Sequence, residues 1–205
     1  NLMGFYQDYV ELLIEQHDPR QALEIADSSR ASVLTENLAG GSGMTVSRLE
    51  RDIKTANTTI LFYWLAPKNS YLWVLSRDAL KLVTLPDKAQ LDREIASYSA
   101  LIQQEKRDPA ASASAVGLRL YDKLVRPAAP YIAKDSQVVL VPDGSLHSLN
   151  FETLLVPGPR PHYWIEDVTL SVAPSLGSLE AGRPSSNRAR SLLLMGDPVM
   201  TGTGF

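Results

Sequence analysis

The residues VVLVPDGSLHSLNFE, numbered 138–152, decide the fold class of this chain. Four consecutive aliphatic residues, 138–141, run directly into a Pro-Asp-Gly turn, and a second apolar segment follows. A strand without polar alternation is apolar on both faces, which is typical of the parallel core of an α/β sheet. The stretch therefore predicts an α/β fold, with 138–141 as its first core strand.

Strands and helices alternate around this stretch. The other predicted strands are 60–65, 71–75, 80–85, 168–173 and 191–195, of which the first three form a meander. The predicted helices of this part are 88–106, 114–132 and 175–180, with Pro127 and Pro130 bending or ending the second. Strand, helix and strand in succession favour right-handed crossovers, so we expect a mostly parallel core sheet between helical layers.

Residues 1–38 are predicted to form a helical hairpin. Its first helix carries an apolar stripe that includes Phe5, Tyr9 and Leu12. Asp18 is an expected N-cap with Pro19 at the first position of the second helix, whose small residues allow close packing. Helices of repeat proteins bury their apolar faces only against the helices of the adjacent repeats. We therefore expect an exposed apolar face here, and a protein partner that binds it.

A linker and a short helix occupy residues 39–57. The run Gly40–Gly43 lacks the Lys-Ser/Thr of a phosphate loop, and Met44 breaks the nucleophile-elbow pattern, so a flexible connection is the simpler interpretation. Ser47 and Glu50 have the spacing of a capping box. The predicted organisation is a repeat-like helical hairpin at 1–38, this linker with its short helix at 39–57, and an α/β domain at 58–205.

Composition excludes several function classes. The 205 residues are 44% hydrophobic and have a net charge of −3, so no basic surface for nucleic acid is indicated. There is no cysteine, which removes disulfides, thiolate metal sites and a cysteine nucleophile from these residues. The sequence has no signal segment and no apolar run long enough to span a membrane, so we expect a cytoplasmic protein without membrane contact. We also expect these 205 residues to be a piece of a longer chain.

Most chemistry-bearing residues have a structural interpretation. His147 and Asp143 resemble a base with its orienting carboxylate, yet Asp143-Gly144 is more simply a turn in which Gly144 takes a positive φ and Asp143 bonds its own backbone. That loop also follows a core strand, where α/β sheets bind ligands. His17 and His162 lack metal partners at ligand spacing, apart from Asp18. We assign no catalytic, cofactor or metal residue.

Three further clusters are interpreted in the same way. The arginines at 183, 188 and 190 form a solvated basic loop, and Gly196-Asp197-Pro198 resembles a nucleotide loop in composition only. A nucleotide-binding domain therefore remains the weakest alternative. The aromatic residues of the first two predicted strands are expected to fill the core and pair across strands, because no basic groove accompanies them. They are Phe62, Tyr63, Trp64, Tyr71 and Trp73.

The segments VVLVPDGSLHSLNFETLL (138–155), VTLSVAPSLGSL (168–179) and SLLLMGDP (191–198) resemble the amino-terminal part of a CHAT domain. CHAT domains are caspase-like, related to caspases and separase, and associated with tetratricopeptide repeats; the segment DPRQALEIADSSRASVL (18–34) is similar to the last repeat helices before such a domain. Asn150 stands where the family often has proline. The resemblance implies a caspase-like α-β-α sandwich.

The resemblance also implies a cysteine endopeptidase with a His general base and a Cys nucleophile. In the family, both lie in later motifs, and this sequence has neither a cysteine nor a His-Gly pair. A thiolate nucleophile needs an adjacent imidazole. These residues are therefore expected to be inert by themselves. Two hypotheses stay open: the non-catalytic portion of a peptidase that takes a peptide substrate, or a scaffold with a pseudo-caspase domain.

Overall fold

The computed structural model describes residues 2–35, 46–53, 57–104 and 115–181. The strands are β1 Thr58–Trp64, β2 Ser70–Leu75, β3 Leu80–Leu85, β4 Gln137–Val141, β5 Leu155–Val156, β6 His162–Tyr163 and β7 Thr169–Val172. The helices are α1 Leu2–Glu15, α2 Pro19–Thr35, α3 Val46–Ile53, α4 Lys88–Gln104, α5 Ala115–Leu124 and α6 Leu176–Ala181. Short 3₁₀ helices lie at Arg126–Tyr131, Gly144–Ser148, Phe151–Thr153 and Trp164–Glu166. The glycine run at 40–43, the arginines at 183, 188 and 190, the predicted strand at 191–195 and Gly196-Asp197-Pro198 lie outside the described residues.

Five strands form one sheet in the order β3-β2-β1-β4-β7. β4 pairs in parallel with β1 on one side and with β7 on the other, while β1, β2 and β3 form an antiparallel meander. The predicted α/β class with a parallel core is confirmed. The stretch 138–141 is not the first core strand, however, because β1 already lies beside it in the same sheet. β1 is as apolar as β4, and that composition suits a central position.

Alternate residues of the central strands point into two separate cores. On one face Leu61, Tyr63 and Leu140 pack with apolar residues of α4 and α5. On the other face Phe62 and Val139 belong to the core that α1, α2, α3 and α6 cover. The predicted sandwich of helices, sheet and helices is therefore confirmed. The aromatic residues of β1 and β2 are all buried, as predicted from their positions in the strands.

The hairpin of α1 and α2 packs directly on the sheet. Asp18 caps α2 as predicted, since the Gln21 N–H donates to its carboxylate at 3.0 Å. The Trp73 indole N–H in β2 donates to the Pro19 carbonyl at 2.7 Å and joins the hairpin to the sheet. On the outer side of α1, Phe5 is 63% exposed and Leu12 is 46% exposed. The predicted exposed apolar face is confirmed at these two residues.

Two helix ends show how neighbouring elements change local predictions. α3 begins at Val46, so Ser47 lies inside the helix and the predicted capping box is wrong. The Val46 N–H instead donates to the Glu24 carboxylate of α2 at 2.9 Å, which supplies the acceptor from another element. α5 ends at Leu124, and the proline-containing 3₁₀ helix follows, as Pro127 and Pro130 predicted.

Within the described ranges, no helix is both long and apolar enough to cross a membrane.

Candidate functional site

A cavity lies where β1, β4 and β7 end, at the carboxyl edge of the parallel strands. Its volume is about 400 Å³, and it also borders the hairpin and the start of α4. The described residues that line it are Gln7, Ser29, Arg30, Trp64, Leu65, Lys88, Asp143, Gly144, His147 and Pro174. Open α/β sheets bind ligands at this edge, because the loops after parallel strands converge there. The cavity is therefore the candidate functional site.

The turn after β4 forms one wall of the cavity. Gly144 has a φ of 52°, which confirms the predicted left-handed conformation. The Asp143 carboxylate accepts the Leu65 N–H at 2.7 Å, so the prediction that it bonds its own backbone is wrong. β1 and β4 are parallel neighbours, and their carboxyl ends meet at this edge. Asp143 consequently joins the two strand ends instead of only closing its own turn.

Arg30 of α2 lines the cavity beside the turn, and sequence analysis missed it. Its guanidinium donates to the Pro142 carbonyl at 3.1 Å and to the Tyr63 carbonyl. It also lies 4.1 Å from the centroid of the Phe62 ring and 3.9 Å from an Asp143 oxygen. Burial lowers the pKa of Arg30, while the charge of Asp143 opposes that effect. A charged residue within the apolar Ala-rich stripe of α2 was the available signal.

His147 lies at the cavity but does not form a dyad with Asp143. Its side chain is exposed, and no contact that the structure describes joins these two residues. The arrangement of a base and its orienting carboxylate therefore has no geometric support. The structural interpretation, in which the Pro-Asp-Gly segment is a turn that fastens two strands, agrees with the contacts of Asp143.

Replacing Asp143 by alanine is expected to destabilise the fold, whereas His147→Ala is not. Asp143→Ala leaves the Leu65 N–H without its acceptor and removes one of the two carboxylates whose charge acts on Arg30, so we expect a loss of about 2 kcal/mol. His147→Ala removes an exposed side chain and should change the free energy of unfolding by less than about 0.5 kcal/mol. Urea unfolding of both variants measures the difference. Equal stability of the two variants would contradict this assignment of roles.

Asp27, also on α2, holds the segment that follows β7. Its carboxylate accepts the Leu176 N–H at 2.7 Å and the Gly177 N–H at 3.3 Å, which are the first two N–H groups of α6. Ser175 completes the cap by accepting the Ser178 N–H at 3.2 Å. Burial raises the pKa of Asp27 in spite of these hydrogen bonds. Asp27 and Arg30, one turn apart on α2, therefore bind the end of β1 and the segments that follow β4 and β7.

Asp27→Ala is expected to lower the free energy of unfolding by about 1–2 kcal/mol, because one buried and one partly buried N–H group lose their acceptor. Asp27→Asn keeps an acceptor oxygen without a buried charge and should cost less than half as much. Because the folded carboxyl has a raised pKa, the wild type should lose stability as pH rises through the range between its unfolded and folded pKa values. The asparagine variant has no carboxyl to titrate there and should abolish that dependence. Thermal unfolding from pH 4 to 7 measures both effects.

A second titratable pair lies away from the cavity. The imidazole of His162 is 2.9 Å from an Asp167 carboxylate oxygen, a contact between residues five apart in sequence. The hydrogen bond that the imidazole donates to Asp167 raises the pKa of His162. Sequence analysis missed the pair because β6 and the following 3₁₀ helix were not predicted. Among the described residues, no group of three potential ligands could hold a metal ion.

β4, its Pro-Asp-Gly turn, β7 and the Ser-capped α6 lie next to one another at the carboxyl edge of the sheet. Residues 114–203 match the CHAT domain. The predicted resemblance is thus confirmed for this segment, which includes α5, β4, β7 and α6. No curated protein matches the chain.

The CHAT match begins after the strand meander, yet the sheet does not divide there. β4 lies inside the matched segment and pairs along its length with β1, which lies outside it. The cavity likewise takes Asp143 from the matched segment and Arg30 from the hairpin. The division of the chain into a hairpin, a linker and an α/β domain remains a prediction. Apolar residues of the hairpin, of α3 and of the sheet belong to one of the two cores, which includes Val139 and Val141 of β4.

Proposed function

We propose that this chain forms the amino-terminal, non-catalytic portion of a CHAT-family cysteine endopeptidase. In this proposal it supplies the core sheet and one wall of the peptide cleft, and it joins them to a regulatory helical hairpin. The observation that carries the proposal is the cavity at the carboxyl edge of β1, β4 and β7, to which the segment that matches the CHAT domain contributes Asp143, Gly144, His147 and Pro174. Substrate groups bind at this edge in α/β folds.

The proposed division of labour follows from the residues present. A caspase-like mechanism needs a thiolate and an imidazole in contact. The 205 residues contain no cysteine, and His147 makes no described contact with a carboxylate that could orient it as a base. The general base and the nucleophile are therefore expected to come from outside these residues, and the chain alone is expected to be inert.

A peptidase assay on two forms of the protein tests this proposal. The chain 1–205 and the full-length parent protein are incubated with a mixed library of quenched fluorescent peptides. We expect hydrolysis by the parent that is abolished by iodoacetamide, which alkylates thiolates, and no hydrolysis by the chain alone. Hydrolysis by the cysteine-free chain would overturn the proposal. So would a parent that contains both a His and a Cys motif but cleaves no peptide in its activated form.

A scaffold is the second candidate, and the outer face of α1 supports it. Phe5 and Leu12 are exposed, and Phe5 stacks on Tyr9 with ring centroids 6.1 Å apart. Exposed apolar clusters of this kind serve as protein-docking surfaces. We propose that this face binds a protein partner in either case. Sequence beyond Phe205 without a His and a Cys motif would favour the scaffold over the peptidase.

A further inference from the structure

The outer edge of β3 ends the sheet on the side opposite β7. Within the described part of the chain, β2 pairs with one side of β3 and no strand pairs with the other side. Such an edge presents a row of backbone N–H and C=O groups that another strand can pair with. Lys81 and Thr84 of β3 are exposed, which shows that solvent reaches this edge.

The hairpin of β2 and β3 determines which backbone groups point outward. The Ser76 N–H donates to the Ala79 carbonyl at 2.9 Å, and the register of β2 and β3 continues this bonded pair. In an antiparallel pair, residues bonded to the partner strand alternate with residues whose N–H and C=O groups point away from it. Because Ala79 is bonded toward β2, the backbone groups of Leu80, Leu82 and Thr84 point away from β2.

We propose that two copies of this chain associate through β3, so that their five-stranded sheets join into one continuous sheet. The two β3 strands run antiparallel about a two-fold axis at Leu82. Leu82 then lies opposite Leu82 of the second copy, and Leu80 lies opposite Thr84. All the residues with outward backbone groups pair with one another, and each pair exchanges two hydrogen bonds. The edge is therefore complementary to itself, as a two-fold interface requires.

Neighbouring registers are less favourable than the one centred on Leu82. A two-fold axis at Lys81 sets two lysines directly opposite each other, and like charges in that position are destabilising. An axis at Val83 or Thr84 sets a leucine opposite Pro86, which has no N–H to donate. With the axis at Leu82, Lys81 lies opposite Val83 and no proline enters the pairing.

The side chains of β3 agree with contact between two copies. Leu80, Leu82 and Val83 each pack on a core of their own molecule but are only partly buried, so some of their apolar surface remains for a partner. In the proposed pairing, Leu82 meets its own copy and Val83 meets the aliphatic stem of Lys81. Natural edge strands avoid association through charges, prolines or bulges. Among the six residues of β3, Lys81 is the one of this kind, and the proposed register does not set it opposite its copy.

Single cysteines introduced into this cysteine-free chain test both the pairing and its register. Leu82→Cys places two thiols opposite each other on strands whose paired Cα atoms lie about 5.5 Å apart, which is within the range of a disulfide. Thr84→Cys is the matched control, because its two thiols would lie more than about 13 Å apart along the strands. After mild oxidation, we expect a covalent dimer of Leu82→Cys and little of Thr84→Cys on a non-reducing gel. A mixture of Leu80→Cys and Thr84→Cys proteins should crosslink, because these two positions are paired.

Sedimentation velocity measures the association without a crosslink. We expect the fraction of wild-type dimer to rise reversibly between about 5 and about 200 μM chain, as mass action requires. Leu82→Lys sets two like charges opposite each other and should weaken dimerisation at least about tenfold. Thr84→Lys adds the same charge to the same edge but lies opposite Leu80, so it should weaken dimerisation less. Circular dichroism of each variant shows whether it is folded.

Three results would overturn the proposal. The first is a wild-type chain that stays monomeric at the highest concentration, which would leave the edge to an extended segment of another protein. The second is equal crosslinking of Leu82→Cys and Thr84→Cys, which would show collision instead of a fixed register. The third is a folded Leu82→Lys variant that dimerises as well as the wild type. If Leu82→Lys does not fold, the crosslinking of the cysteine variants decides.

Discussion

Replacing Arg30 by methionine is expected to lower the free energy of unfolding by about 3 kcal/mol. The Pro142 and Tyr63 carbonyls would lose their donor, and Asp143 would lose a nearby positive charge in a mostly buried setting. Methionine keeps most of the side-chain volume, so the loss would come from polar contacts and not from a cavity. Urea unfolding followed by far-ultraviolet circular dichroism measures this change.

Two matched variants test the reason for that loss. Arg30→Lys keeps the charge but cannot reach both carbonyls with a planar group, so it should recover less than half of the lost stability. Arg126→Met removes an exposed arginine that is bonded to Asp122 one helical turn away, and it should cost no more than about 0.5 kcal/mol. If Arg30→Met were as mild as Arg126→Met, the polar contacts of Arg30 would not stabilise the strand ends.

Trp73→Ala is expected to be the most destabilising single change, at about 4 kcal/mol. Trp73 is fully buried in β2, contacts the rings of Phe62 and Tyr71, and donates to the Pro19 carbonyl. Removing it leaves a large cavity between the sheet and the hairpin, where rigid neighbours cannot close the space. Chemical denaturation gives the stability, and hydrogen exchange of α1 and α2 shows whether the hairpin loosens first.

Trp73→Phe separates packing from hydrogen bonding at the same position. Phenylalanine retains an aromatic ring but leaves the Pro19 carbonyl without its donor, so we expect a cost of about 1–2 kcal/mol. The exchange rates of α1 and α2 should rise more than those of β4. If Trp73→Ala left exchange in the hairpin unchanged while the whole chain lost stability, the hairpin would not depend on this contact.

Sequence analysis predicted the structural features that depend only on residues close together in the sequence. The apolar run of β4, the helical stripe of α1 and the Asp18 cap each depend on neighbouring residues, and each is confirmed. Gly144 was predicted correctly for the same reason, because its conformation is set within one turn. The CHAT segments also identified the sheet edge at which the cavity lies, although the predicted strand at 191–195 is outside the described residues.

The residues that shape the cavity were missed because their partners are distant in sequence. Arg30 bonds Pro142 across 112 residues, and Asp27 bonds Leu176 across 149 residues. No local pattern indicates which carbonyl or N–H group such a side chain will meet. Asp143 illustrates the same limit, because a turn residue normally bonds locally and here bonds the end of β1. Long-range pairing decided these contacts, whereas the elements that carry them were predictable.

The position of β1 between β2 and β4 has a consequence for how the chain folds. β1, β2 and β3 can pair through short turns, but the partner that covers the other side of β1 arrives much later, since Thr58 and Gln137 are 79 residues apart. Closing so long a loop is slow. During synthesis the meander therefore presents an open, strongly apolar strand edge to the surroundings. That edge is the expected point of misassembly, and of chaperone contact, until β4 leaves the ribosome.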